Sequence, residues 1–93
     1  MAVSFYIPAH LRPFTGGRSR VDLPTTPATA GEALEALWAL HPGTRDRVVT
    51  ERGKLRPHIN VFVGAESIRY TGGFATALAD GSEVSIVPAV SGG

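Results

Sequence analysis

The chain has 93 residues, of which 43% are hydrophobic and 18% are charged, and its formal net charge at pH 7 is +1. This length and composition are typical of one small globular domain with a modest core, which leaves little room for a deep, enclosed active site. The near-neutral charge gives no electrostatic reason to expect nucleic acid or an anionic membrane as a partner. No cysteine is present, which excludes disulfides, thiolate metal sites and a thiol nucleophile.

No apolar run approaches the roughly 20 residues that a membrane-spanning helix needs. The N-terminal region also lacks the basic and apolar segments of a secretory signal, so we expect a cytoplasmic protein. The three histidines, His10, His41 and His58, are widely separated in the sequence. This spacing favours structural or solvent-exposed roles over a metal site.

The first part of the chain predicts a strand hairpin. Apolar and polar residues alternate over residues 2–8, which predicts a half-buried strand that ends at Pro8. Proline and glycine over residues 10–17 predict a turn. Residues 18–23 predict a second strand, and the two strands are expected to pair as an antiparallel hairpin with a long loop.

A helix is predicted to start at Thr29. Thr29 and Glu32 fit a capping box, in which the Thr29 hydroxyl accepts from the Glu32 amide and the Glu32 side chain reaches back. Leucines at helical spacing then give one apolar face. We expect the helix to end before Pro42, with Gly43 in the left-handed cap position. A further helical turn is predicted at residues 44–49.

The second half predicts three strands. Residues 59–63 alternate as a strand, a tight turn follows, and a short fourth strand is expected at 67–70. Residues 74–79 predict a short helical turn, and Asp80-Gly81 is a strong turn dipeptide. The last strand is expected at 83–89.

This order predicts an α+β fold, in which a mixed sheet of four or five strands carries one main helix packed on one face. The first and last strands are the most apolar, so we expect them side by side at the centre of the sheet. The predicted core residues are Val3, Phe5, Ile7, Ile59, Val61, Val63, Val84 and Ile86 on the sheet, facing Leu34 and Leu37 on the helix.

Tyr6, Phe62 and Val87 would lie on the open face. Such a face is a candidate docking surface, although scattered surface apolar residues are common.

The chain ends in Gly92-Gly93, directly after the last predicted strand. Glycine has no side chain, so a Gly-Gly tail could pass through a narrow channel and present an unhindered carboxylate for adenylation. The alternative is a frayed end without chemistry. Two other Gly-Gly pairs, residues 16–17 and 72–73, are expected in turns. We therefore predict a domain over residues 1–88 and a flexible tail over 89–93.

Several stretches together resemble the ThiS/MoaD family of bacterial sulfur carrier proteins, which have the ubiquitin-like β-grasp fold. The stretches are Ser4-Phe5-Tyr6-Ile7-Pro8, Leu11-Arg12-Pro13, Gly31-Glu32-Ala33-Leu34, Ile59-Asn60-Val61-Phe62-Val63 and residues 79–93. The resemblance extends over essentially the whole chain and is most specific over the last stretch. From Asn60 onward the chain looks closest to the actinobacterial carriers that supply sulfur for cysteine synthesis.

The resemblance implies a protein cosubstrate with no catalytic residue, no metal and no bound cofactor. An adenylyltransferase of the ubiquitin-activating type would use ATP to adenylate Gly93, and a sulfur donor would convert the adenylate to a thiocarboxylate. A sulfur-accepting synthase would then use the sulfur, and in the cysteine pathway a zinc metallopeptidase would release the product. The tail residues expected to enter partner active sites are Val90, Ser91, Gly92 and Gly93. The residues expected to dock the activating enzyme are Val87, Phe62 and Tyr6.

Other roles remain open at this point. Within the family, the chain could be the small subunit of molybdopterin synthase, or a sulfur donor for thiamin or a specialised metabolite. A different class is a protein modifier, in which Gly93 ends in an isopeptide bond, and the simplest alternative is an inert β-grasp interaction module. Lys54 is the only lysine and is expected to be a loop charge. We expect a monomer when the protein is free.

Overall fold

Five strands form one mixed sheet in the computed structural model, which describes residues 3–88. The strands are β1 (Ser4–Tyr6), β2 (Arg20–Asp22), β3 (Ile59–Val63), β4 (Glu66–Ser67) and β5 (Glu83–Pro88). Their order is β2-β1-β5-β3-β4. The last strand therefore lies at the centre beside the first, as predicted, parallel to β1 and antiparallel to β3. The predicted tail, residues 89–93, lies outside the described residues.

Over residues 3–88, two α-helices and four short 3₁₀ helices connect the strands. The α-helices are α1 (Ala30–Leu40) and α2 (Arg45–Val48). The 3₁₀ helices are Ala9–Thr15, Pro42–Thr44, Ile68–Tyr70 and Gly73–Ala75. The predicted main helix and the helical turn after it are both confirmed.

The N-terminus of α1 is capped as the sequence predicts, with one difference. The Thr29 hydroxyl oxygen accepts from the Glu32 amide at 3.2 Å. The Glu32 carboxylate accepts from the amide of Ala28 at 3.4 Å, not from that of Thr29 itself. The same segment is tied to the loop that leads into β5, because the Leu78 amide donates to the Ala28 carbonyl at 2.8 Å.

The prediction for Gly43 was wrong. Gly43 does not take a left-handed conformation; it lies within the 3₁₀ helix Pro42–Thr44, and His41 is the C-cap of α1 with φ −137°. A Cβ on Gly43 would lie 3.0 Å from Cδ1 of Phe14. Glycine is therefore suited to this position by its small size, not by its backbone freedom.

The predicted turn at residues 10–17 is largely a 3₁₀ helix, Ala9–Thr15, and this is a second correction. The buried Thr15 hydroxyl bonds to the carbonyl of Arg12 at 3.2 Å and to that of Arg18 at 2.8 Å. These bonds stabilise the compact turns of the segment, and Gly16 ends it with φ +67°. The chain then enters β2, which is shorter than the predicted strand.

The predicted fourth strand is wrong over most of its length. Only Ser67 of the predicted range 67–70 is in β4, and Ile68–Tyr70 is a 3₁₀ helix. The Ser67 hydroxyl oxygen accepts from the Arg69 amide at 3.3 Å, a local bond that turns the chain away from the sheet. The predicted helical turn at 74–79 is likewise shorter, at Gly73–Ala75.

The predicted core forms with one exception. All of its members are buried except Val63, which is half-buried because it pairs with Glu66 at the short edge strand. Further buried residues come from β2 (Val21) and from the helices and loops that connect the strands: Leu11, Leu23, Ala30, Ala33, Val48, Val49 and Ile68. Burial of each large apolar side chain contributes roughly 1.5–3 kcal/mol, so the connections contribute substantially to the stability of the core.

Candidate tail exit and docking surface

The register of the central strands defines the end of the sheet that the described part of β5 reaches. Pro88, the last residue of β5, lies opposite Ile59, the first residue of β3. The chain continues for five residues to Gly93. The predicted tail residues Val90, Ser91 and Gly92, together with Gly93, lie outside the described residues. We call the end of the sheet at Pro88 and Ile59 the exit end.

Arg69 holds the chain at the exit end. Its guanidinium donates to the carbonyl of Ile59 at 2.7 Å and to that of Arg56 at 2.8 Å. Its Nε donates to Oδ1 of Asn60 at 3.3 Å. Because Asn60 is registered opposite Val87, Arg69 anchors the start of β3 next to the end of β5.

The three predicted docking residues all lie on the outward face of the sheet. Tyr6 and Phe62 are both registered opposite Ser85 of β5, one from each side. The small Ser85 side chain therefore lies between the two aromatic side chains in one row across the sheet. Val87 lies two residues further along β5 on the same face, towards the exit end. Tyr6 is 45% exposed, whereas Phe62 and Val87 are half-buried.

Arg12 links the 3₁₀ helix Ala9–Thr15 to this face. Its Nε donates to the Ile7 carbonyl at 3.2 Å, and its Nη2 donates to the Tyr6 hydroxyl at 3.4 Å. The guanidinium carbon lies 6.0 Å from the centre of the Tyr6 ring. These contacts restrain the ring and place a positive charge beside it.

Sequence reasoning missed Tyr70 as a surface residue of this face. Its side chain is 89% exposed and lines a depression of about 430 Å³ together with Phe62, Asn60 and Glu66. The sequence pattern placed Tyr70 at the end of a strand. The sequence feature that could have indicated the 3₁₀ helix is Ser67, because a serine side chain can bond to the following backbone and begin a turn in place of a strand.

Sequence reasoning also missed that two of the histidines share one surface feature. A depression of about 640 Å³ at the exit end, which we call the basic depression, is lined by His10, Phe14, Asp46, Arg47, Arg56 and His58. His10 and His58 are distant in the sequence, so only the fold could bring them together. Within residues 3–88, no group of three or more His, Asp or Glu side chains is arranged to hold a metal ion.

The two internal Gly-Gly pairs form turns, as predicted. Gly16 and Gly17 have φ of +67° and +83°, and Gly72 and Gly73 have φ of +118° and +61°. Such angles favour glycine in turns. Among the described residues, no helix is long and apolar enough to cross a membrane.

The chain is similar to sulfur carriers over its whole length. It is 41% identical over 95 residues to the sulfur carrier protein CysO of Mycobacterium tuberculosis, covering 100% of both chains. A chain in the crystal structure of the Amycolatopsis orientalis BexX/CysO complex superposes with a TM-score of 0.88 at 39% identity, covering 99% of this chain and 100% of that one.

Protein modifiers have the same fold. The crystal structure of small archaeal modifier protein 1 from Haloferax volcanii superposes with a TM-score of 0.82 at 33% identity, covering 100% of both chains. The predicted ubiquitin-like β-grasp fold is therefore confirmed. The model of the ThiS family matches residues 5–93. The protein belongs to the ThiS family and is a homologue of the sulfur carrier CysO, which makes it a protein cosubstrate and not an enzyme.

Proposed function

We propose that the protein carries sulfur as a thiocarboxylate on Gly93. The observation that supports this most strongly is the family match, which runs through residue 93, to the Gly-Gly end. The central position of β5 also supports it, because the described part of β5 reaches Pro88 and only five residues separate Pro88 from the end of the chain. A tail of this length, with glycine at its last two positions, suits entry into a narrow channel.

The proposed chemistry uses the main-chain carboxylate alone. A carboxylate oxygen of Gly93 attacks the α-phosphorus of ATP on the activating enzyme, and pyrophosphate leaves. Hydrosulfide, or a persulfide on a donor protein, then attacks the acyl carbon, and AMP leaves. With hydrosulfide the product is the thiocarboxylate directly; with a persulfide the acyl disulfide must then be cleaved by a thiol.

No side chain of the carrier takes part in these steps, and ATP is consumed by the partner. The absence of cysteine agrees with a carrier whose sulfur is held on the main chain. The use of ATP and sulfide places the proposed cycle in the cytoplasm.

The acceptor we propose is a synthase of cysteine biosynthesis. Similarity to CysO over the whole chain supports this choice. In this route the thiocarboxylate sulfur attacks an aminoacrylate held on the pyridoxal phosphate of the synthase, and a zinc metallopeptidase later releases the product from the tail. The similarity to a chain solved in complex with BexX supports the expectation that the carrier docks on other proteins.

The outward face is the surface we propose for docking the activating enzyme. Tyr6, Phe62 and Val87 lie on the side of the sheet opposite the buried core, and β5 leads from this surface to the tail. Aromatic side chains are enriched at protein interfaces because they bury a large area with few rotatable bonds. Arg12 restrains the Tyr6 ring, which lowers the entropy lost when a partner covers it.

Deletion of Gly93 tests the proposal. The purified adenylyltransferase encoded in the same genome is incubated with ATP, labelled pyrophosphate and the carrier, and carrier-dependent ATP–pyrophosphate exchange is measured. We expect exchange with the wild-type chain and with the control Arg52→Ala, a change in an exposed loop, and none with the deletion variant. Exchange that survives the deletion would show that Gly93 is not the activated group.

A second candidate function is protein modification, which the similarity to small archaeal modifier protein 1 favours. In that role the Gly93 acyl group would be joined to lysines of other proteins. Trypsin cleaves after Arg69, so a conjugate would carry residues 70–93 on the modified lysine. Mass spectrometry of proteins from the native host distinguishes the two roles, because a carrier alone leaves no such branched peptides.

A further inference from the structure

The near-neutral net charge conceals a separation of charge along the strands. Glu83 of β5 and Asp22 of β2 are both registered opposite Ser4 of β1, at the end of the sheet remote from the tail. At the exit end, the Arg69 guanidinium contacts the carbonyls of Ile59 and Arg56. The Asp22 carboxylate is paired with the Arg20 guanidinium at 3.2 Å, so the acidic charge at this end comes from Glu83, whereas arginines lie at the exit end.

The basic depression concentrates this positive charge. Arg56 is held there by a hydrogen bond from its Nε to the Asp46 carbonyl at 2.7 Å. Arg47 lies with its guanidinium carbon 4.8 Å from the centre of the Phe14 ring. Among residues 3–88, the Asp46 carboxylate is the only acidic group in the lining, and it is exposed and 3.6 Å from the Arg45 guanidinium.

The Arg47 side chain is held in place by one ring contact, and its N–H groups donate no hydrogen bond within the described residues. Its guanidinium contacts the Phe14 ring. A guanidinium held over a ring keeps its N–H donors available for carboxylates of another molecule. This arrangement suits recognition of an acidic surface.

The length of the tail determines what must touch this end of the protein. Five residues separate Pro88 from the end of the chain, and five extended residues span at most about 18 Å. An enzyme that acts on Gly93 must therefore place the surface around its tail-binding channel against the exit end of the carrier. His58 of the depression directly precedes Ile59, the residue opposite Pro88, so the depression adjoins the exit end.

We propose that the basic depression docks on an acidic surface beside the entrance through which the activating enzyme receives the tail. This inference rests on the proposed function. The separated charges would orient the carrier during approach, because the acidic surface attracts the exit end and repels the Glu83 carboxylate at the opposite end. Charges at the edge of an interface act mainly on the association rate and its salt dependence.

Charge reversal at Arg47 tests the proposal. The KM for the carrier is measured by ATP–pyrophosphate exchange with the purified adenylyltransferase, for Arg47→Glu and for the neutral variant Arg47→Gln. Arg52→Glu is the matched control. It makes the same change of charge in an exposed loop next to Gly53, which lines a different depression with Gly31 and Trp38.

We expect Arg47→Glu to raise the KM about three- to tenfold at low salt, and the effect to fall below about twofold near 0.5 M salt, where charges are strongly screened. Arg47→Gln should lie between Arg47→Glu and the wild type, and Arg52→Glu should match the wild type. Equal thermal melting of the variants shows that folding is not the cause.

Three results overturn the inference. If Arg47→Glu and Arg52→Glu have the same KM and salt dependence, the depression does not dock, although activation of Gly93 stands. If the reversals leave the KM unchanged but abolish binding of a 20-nucleotide RNA at physiological salt, the surface belongs to nucleic acid. If the wild-type chain is not activated at all, the proposed function and this inference fail together.

Discussion

Gly31 and Phe74 approach so closely that a Cβ on Gly31 would lie 3.0 Å from the Phe74 Cβ and 3.1 Å from the Phe74 carbonyl oxygen. This contact packs the first turn of α1 against the 3₁₀ helix Gly73–Ala75. The neighbouring amide of Ala30 donates to the Thr76 carbonyl at 2.9 Å, which fixes the spacing of the two segments. Glycine is needed at position 31 for this approach.

Gly31→Ala should therefore destabilise the protein, although alanine favours helices by about 1 kcal/mol over glycine. Overpacking typically costs about 1–3 kcal/mol, so we expect a net loss of about 1 kcal/mol in the free energy of unfolding, measured by urea denaturation. The matched control is Gly43→Ala, whose Cβ would meet the Phe14 ring at 3.0 Å. A ring edge can rotate away, so the control should lose less. A Gly31→Ala variant as stable as the wild type would contradict this explanation.

Removal of the cap of α1 should also be measurable. Thr29→Ala loses the bond from the Glu32 amide, and we expect the free energy of unfolding to fall by about 1 kcal/mol. Thr29→Ser keeps the hydroxyl and should differ little from the wild type. Equal losses for both variants would show that the threonine methyl group matters and the cap does not.

Arg69 should be replaceable neither by alanine nor by lysine. Its planar guanidinium contacts three acceptors on residues 56–60, a geometry that an ammonium group cannot reproduce. We expect Arg69→Lys to lose about 1–2 kcal/mol in the free energy of unfolding. Arg52→Lys is the control, in an exposed loop. Wild-type stability in Arg69→Lys would show that the three bonds contribute nothing net.

The docking role of the outward face can be tested with two residues of similar exposure. Tyr6 is 45% exposed on the sheet face, and Leu40 is 47% exposed at the end of α1. We expect Tyr6→Asp to raise the KM of the carrier for its adenylyltransferase about tenfold or more, as for an aromatic anchor of an interface. Leu40→Asp should leave the KM near the wild-type value. Equal effects of the two substitutions would exclude a specific role for the outward face.

The sequence predicted the features that depend on local periodicity. Alternation determined the faces of β1, β3 and β5, and Thr29 with Glu32 located the start of α1. The central position of β5 followed from its apolar character. These predictions succeeded because one buried face strongly constrains the register of a strand.

The wrong predictions depend on contacts between segments distant in the sequence. The sequence around Gly43 predicts a left-handed cap. The contact with Phe14 that instead explains the glycine is not visible in the neighbouring residues. The Ser67 side chain bonds to the Arg69 amide, and the chain turns where a strand was predicted. The basic depression joins residues 10–14 to residues 46–58, and no local pattern links these segments. Docking by Tyr6, Phe62 and Val87 remains a prediction.

The measurement that tests the central claim most directly is the mass of the C-terminal tryptic peptide. The chain is incubated with ATP, its adenylyltransferase and sulfide, and then cleaved after Arg69 to release residues 70–93, a peptide without methionine or cysteine. Exchange of oxygen for sulfur adds about 16 Da, nearly the same as oxidation of methionine, but the only methionine is Met1 and lies outside this peptide.

We predict a gain of about 16 Da on this peptide that depends on ATP and localises to Gly93 in fragment spectra. The gain should be lost when hydrolysis restores the carboxylate. An unchanged peptide from a chain that the enzyme has adenylated, or a gain placed on any other residue, would contradict the proposal that Gly93 carries the sulfur.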